Sequence, residues 1–174
     1  SPETMNLAVK VKEKTTGAIS IGGGYSSDEG FFAGGEIYQR NLFGRGQFLG
    51  IKTQIGQEAQ RYSVSFTEPS ILDTDISGGI DIFNWERQYP DYTKDAVGGR
   101  VRFGHAFGEY SRLYYYFTYE DVKISDVAAD ASQSIKDQLG RQKNSYFTLI
   151  LERDTTDDPF LPTRGILTSL TGDY

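Results

Sequence analysis

His105 is the only histidine of the chain, and there is no cysteine. An acyl-transfer site would need a nucleophile beside that imidazole and an acid to orient it. Nothing near His105 specifies them: it alternates with Phe103 and Phe107 on one apolar face, the setting of an interfacial side chain. The lack of Cys removes thiolate nucleophiles, thiolate zinc sites and disulfide frameworks. Asp73-Thr74-Asp75 and Asp154-Thr155-Thr156-Asp157-Asp158 carry donors for calcium, but neither has the EF-hand spacing. They read better as acidic turns at a wet surface. Arg100 and Arg102 share one face of an alternating segment. There they could line a selective pore, or pair with acids such as Asp81 and Glu120. Tyr114, Tyr115, Tyr116, Phe117 and Tyr119 could stack a ligand or form part of an aromatic girdle at a membrane interface. No catalytic residues, metal site or cofactor are expected, and the chain is not expected to be an enzyme.

The elements that position these residues are strands. The chain of 174 residues is rich in Gly (20), Tyr (12) and Phe (11), with five Pro. Aromatic residues suit a pleated surface, and Gly suits turns and bends. Only 37% of residues are hydrophobic, and mean hydropathy is −0.48. That is sparse for a packed soluble core, but not for a barrel with one polar face. A net charge of −6 argues against a nucleic-acid groove. No apolar run reaches the roughly 18 residues of a membrane helix. The start has no basic segment followed by an apolar core, so an outer-membrane protein of this sequence would be mature or excised.

Nine strands are expected, at about 17–26, 31–40, 47–57, 61–68, 75–86, 94–107, 110–124, 145–154 and 165–174. The third is the cleanest. Leu49, Ile51, Thr53 and Ile55 face one way, and Gly50, Lys52, Gln54 and Gly56 the other. A short helix is expected at 134–139, in a loop. Most strands match the length of about 9–11 residues that crosses a bilayer when tilted. One face is continuously apolar, while the other holds Lys52, Gln54, Arg100 and Arg102. A barrel turns the first face to lipid and the second to a wet lumen. A soluble sandwich would instead bury the apolar faces of two sheets, and would dissolve without detergent. Long loops are expected at 87–93 and 127–142, after the fifth and seventh strands. Short turns at the other end would then be periplasmic, with the first strand ascending from that side. The connection 153–164 is an exception: it falls on the periplasmic side yet is long. Nine is odd and lipid tolerates no open edge, so the barrel is expected to be incomplete at both ends.

Three segments carry a resemblance. Val9-Lys10-Val11-Lys12-Glu13-Lys14-Thr15-Thr16-Gly17, followed by Ile21-Gly22-Gly23-Gly24-Tyr25-Ser26, resembles the junction between the last periplasmic POTRA domain and the first barrel strand in the BamA family of outer-membrane assembly factors. Asn41-Leu42-Phe43-Gly44-Arg45-Gly46 is similar to that family's first periplasmic turn. Asp154-Thr155-Thr156-Asp157-Asp158-Pro159-Phe160-Leu161-Pro162-Thr163-Arg164-Gly165 resembles its D-x-x-D-x-P-x-x-P-x-x-G turn, which accounts for the long connection. Thr67-Glu68-Pro69 is a fourth, weaker match, similar to that family's second periplasmic turn. Translocators of two-partner secretion and organellar homologues share these features.

The resemblance implies the end of a POTRA domain or linker at 1–16, and the first part of a sixteen-stranded transmembrane barrel at 17–174, in the bacterial outer membrane. It implies an activity of folding and inserting other barrels, with outer-membrane lipids, unfolded outer-membrane proteins and periplasmic accessory lipoproteins as partners. The client strand would pair with a lateral-gate edge formed by Gly17, Ala18, Ile19, Ser20, Ile21, Gly22, Gly23, Gly24 and Tyr25. The Gly22-Gly23-Gly24 run either weakens an edge that must open, or relieves crowding at a tight bend. The alternatives are a passive or secretion pore, and an outer-membrane enzyme whose constellation lies elsewhere.

Overall fold

In the computed structural model, described for residues 14–158 and 160–174, the chain is one antiparallel sheet of nine strands. The strands are β1 (Gly17–Ser26), β2 (Gly30–Leu42), β3 (Gln47–Gly56), β4 (Ala59–Glu68), β5 (Ile76–Tyr89), β6 (Tyr92–Phe107), β7 (Ser111–Ser125), β8 (Gly140–Asp154) and β9 (Leu167–Asp173). Each pairs with its sequence neighbour, so the order is a simple meander. The expected POTRA end at 1–16 falls almost wholly outside the described residues.

Register sorts the side chains into two faces. Ile19, Ile37, Ile51, Val64 and Ile82 stand opposite one another across β1 to β5. Phe66, Ile80, Val101, Phe117 and Phe147 form a second such row across β4 to β8. These side chains are mostly exposed, Ile19 at 70% and Ile51 at 50%. The opposite face carries Lys52, Ser63, Phe83 and Glu120, and behind them the buried Ala59, Ala96, Thr118, Val122 and Ile124. Side chains shield one another where a coiled sheet is concave and splay apart where it is convex. The polar face is therefore the inner one, and the apolar face is outside. No second sheet covers the apolar face among the described residues, so the sandwich alternative fails.

Two loop expectations are corrected. Residues 87–93 do not form a long loop. The ladder runs on through Arg87↔Lys94, Gln88↔Thr93 and Tyr89↔Tyr92, leaving only Pro90 and Asp91 as a tight turn. Pro pre-sets the turn's φ, and the Tyr89 and Tyr92 rings stack across it at 4.6 Å. The seventh loop shortens to 126–139, because β8 begins at Gly140. Its short helix is Gln133–Lys136, and Ala128 N–H donates to Asp91 O at 2.8 Å, tying the loop to the β5–β6 turn. The connection at 155–166, at the other end of the sheet, is nearly as long. Loop length alone does not orient this sheet.

Candidate strand-docking edge and charged concave wall

β1 pairs with β2 from Gly17↔Gln39 to Ser26↔Gly30. Antiparallel ladders alternate bonded and non-bonded pairs, so one bond fixes the phase. Arg40 N–H donates to Thr16 O at 3.0 Å, and Gln57 N–H donates to Phe31 O at 3.0 Å. Both place the even-numbered residues of β1 in the bonded pairs with β2. Ala18, Ser20, Gly22 and Gly24 thus serve β2, while Ile19, Ile21, Gly23 and Tyr25 aim N–H and C=O at the opposite edge. Gly17 continues the second set.

The glycine run divides between its two readings. A Cβ on Gly22 would meet nothing within 4 Å, so crowding does not require that glycine. A Cβ on Gly23 would lie 2.9 Å from Phe32 O, and on Gly24 3.0 Å from the Phe32 ring. Those two let β2 approach closely.

On the concave wall, Arg102 Nη2 donates to Asp81 Oδ1 at 3.0 Å and to Thr67 Oγ1 at 3.1 Å, with Nε 2.8 Å from Asp81 Oδ2. Arg100 does not reach Glu120. Its Nε donates to Thr118 Oγ1 at 3.0 Å, and its guanidinium lies 5.8 Å from the Tyr116 ring centre. Glu120 instead accepts from Asn144 Nδ2 at 3.4 Å. Lys52 stands opposite Glu36 in register. Tyr114 and Tyr116 lie on this inner face, while Tyr115, Phe117 and Tyr119 face out. His105 is also outward, opposite Ile76 and Leu113.

A second cluster escaped the sequence reading. Glu29, in the β1–β2 turn, bends over the concave face and binds the Arg61 guanidinium through both carboxylate oxygens. Gln54 Nε2 donates to it at 3.4 Å, and Arg87 approaches to 3.6 Å. Arg87 also holds Asp28 at 3.2 Å. The Arg61 hydrogen bonds, with the charges of Arg61 and Arg87, hold the Glu29 carboxyl below its usual range. Only the complementary signs of these residues were visible in the sequence. Their meeting depends on strand register and on the inward tilt of the turn.

The acidic turn after β8 uses its carboxylates on its own backbone. Asp157 Oδ1 accepts N–H bonds from Thr163 (2.9 Å) and Arg164 (3.0 Å), and Oδ2 accepts the Thr163 hydroxyl at 2.6 Å. Asp158 Oδ1 accepts from Phe160 (2.7 Å) and Leu161 (2.9 Å). The Thr163 hydroxyl and the Arg164 and Thr163 amides pull Asp157 down from 3.8 to about 2. A depressed carboxylate contributes stability that is fully present above its ordinary value and is lost as pH falls through its folded value. We therefore expect the Thr163 and Arg164 amide resonances to hold their shifts down to pH 3.8 and to move as pH drops toward about 2. A midpoint near the ordinary value would mean that Asp157 does not hold the turn.

A coiled sheet, apolar outside and charged within, defines the wall of a transmembrane β-barrel. Residues 41–174 match the Omp85 superfamily domain, and the chain belongs to that superfamily. It is a chain of the bacterial outer membrane. It is 33% identical over 165 residues to the outer membrane protein assembly factor BamA of Nitratidesulfovibrio vulgaris, covering 95% of this chain and 21% of that protein. It is 31% identical over 166 residues to the BamA of Neorickettsia risticii, covering 94% of this chain and 22% of that protein. The crystal structure of BamA from Haemophilus ducreyi lacking POTRA domains 1-3 superposes with a TM-score of 0.73 at 21% identity, over 93% of this chain and 34% of that one. The chain thus spans about a fifth of the length of its curated relatives. β1 and most of β2 precede the span matched by the superfamily domain.

Proposed function

We propose that this chain is the first part of the barrel of an outer-membrane protein assembly factor, and that β1 docks the incoming strand of a client barrel. The supporting observation is the β1 edge. Ile19, Ile21, Gly23 and Tyr25 offer backbone groups beyond the sheet, in a chain whose relatives carry the name assembly factor. An unpaired ladder recognises a strand through its backbone and reads side chains only weakly. Such an edge serves clients of differing sequence. Lys52, Gln54, Arg100 and Arg102 would face the wet lumen, and the apolar rows would face lipid. Periplasmic lipoproteins would act as accessory partners at the end where β1 begins.

The test uses the full-length protein in a cysteine-free background, with single Cys residues from Gly17 to Tyr25 paired against Cys in a client's final strand. Side chains come closest in the non-bonded pairs of an antiparallel ladder. Disulfide yields should therefore alternate, highest at Ala18, Ser20, Gly22 and Gly24. A ladder of that phase supports strand docking. Suppose β1 never captures a client, yet locks to the protein's own last strand without loss of function. The edge is then a permanent seam, and a secretion or passive pore becomes the better account.

A further inference from the structure

Above the apolar belt, at the β7–β8 loop end, the convex face changes character. One cross-strand row reads Gln60, Glu86, Asp95, Lys123 and Arg141 from β4 to β8. The next row toward the belt reads Asn84, Val97, Asp121 and Lys143 from β5 to β8. One step further come Tyr119 and Ser145, and then Phe117 and Phe147. Charge is segregated in this band: acids on β5 and β6, bases on β7 and β8, with Asp121 among the bases.

On the β7–β8 side that order places like charges together. Lys123 stands directly opposite Arg141, where Cβ atoms are about 4.5–5.5 Å apart and like charges destabilise. Arg141 takes Asp121 at 3.2 Å, yet its side chain remains 67% exposed. Lys123 and Lys143 are exposed and form no ion pair among the described residues. Three cations thus cluster on two paired strands, with Asp121 between them and Asp95 opposite Lys123 on β6. Positive charge stays in excess on β7 and β8, pointing outward at the rim of the lipid-facing surface. An external anion would relieve the repulsion. At this height the surrounding medium is the headgroup layer.

We propose that Lys123, Arg141 and Lys143 form a binding surface for phosphate-bearing lipid headgroups in the leaflet at this end of the barrel. The surface is continuous with the apolar belt, so the acyl chains of a bound lipid would lie along Tyr119, Phe117 and Phe147. Lysine supplies point charge to a phosphate, and Arg141 adds a planar fork of donors. The acids on β5 and β6 confine the site to the β7–β8 side. The inference needs only the membrane-spanning fold, and stands whether or not β1 docks clients.

The full-length protein, carrying a fluorophore on Ser145→Cys in a cysteine-free background, tests this in phosphatidylcholine vesicles. A minor share of the lipid is replaced by dibrominated phosphatidate or by dibrominated phosphatidylcholine, and quenching gives the relative affinity. We expect phosphatidate to be preferred by about tenfold at low salt, as clustered basic residues at a charged lipid surface allow. The preference should fall to near unity in K123Q/R141Q/K143Q. It should survive in K123R/K143R, which keeps the charge, and in K136Q, in the neighbouring loop. Heat-modifiable gel migration confirms that each variant is inserted. Equal quenching by the two lipids, or a preference unchanged in the glutamine variant, overturns the proposal. If millimolar inorganic phosphate abolishes the preference at constant ionic strength, the site takes free phosphate, and the lipid assignment is wrong.

Discussion

Gly165→Ala in the full-length protein is expected to cost about 3 kcal/mol of stability, read by urea unfolding in detergent micelles. Gly165 closes the β8–β9 connection at φ +99°, which L side chains rarely adopt. A Cβ there would also collide with the backbone of Thr155 and Thr156. Those residues cannot withdraw freely. Thr155 N–H donates to Ile166 O at 3.1 Å, and its hydroxyl accepts from Ile166 N–H at 2.9 Å. Two other glycines separate conformation from collision. Gly108 has φ +66° with open space around it, so alanine should cost about 1 kcal/mol. Gly172 has neither constraint, so its substitution should stay within about 0.5 kcal/mol. A Gly165 variant as stable as the Gly172 variant would mean that this turn is not closed as described.

The second large effect is expected at Asp81. Asp81→Ala strips Arg102 of its carboxylate and leaves only Thr67 Oγ1 as partner. Both side chains are mostly shielded, at 18% and 27% exposed, so the orphaned guanidinium is poorly solvated. The loss should be about 2–3 kcal/mol. Pairing Asp81→Ala with Arg102→Met removes the charge as well, and should recover most of it. A double variant no better than Asp81→Ala alone would show that Arg102 was solvated throughout, and that the pair contributes little.

Strict alternation made much of this architecture legible. β3 could be read from Leu49 to Gly56 because every second residue changes polarity, and the apolar set faces out as that period requires. β1 falls at Gly17–Ser26, as expected from its flanking turn. The β5–β6 hairpin was hidden by Arg87, Gln88, Pro90 and Asp91, whose polarity mimics a loop. In a strand that outruns the lipid, outward residues need not be apolar, so the pattern fails while the ladder continues. The Glu29–Arg61 pair was illegible for another reason. Its partners lie on a turn and on β4, and only sheet curvature brings them together.

That tie has a mechanical meaning. In a meander, each strand is held by its neighbours alone, and a force on the outermost one would unzip ladder bonds singly. Glu29 reaches past β3 to Arg61 on β4 and Arg87 on β5, so the Ser26 end of β1 carries its load in parallel with the wall. The Gly17 end lies beyond the reach of this anchor. Under tension β1 would be compliant where it starts and stiff where it ends, peeling inward from Gly17 and pivoting about its far tip.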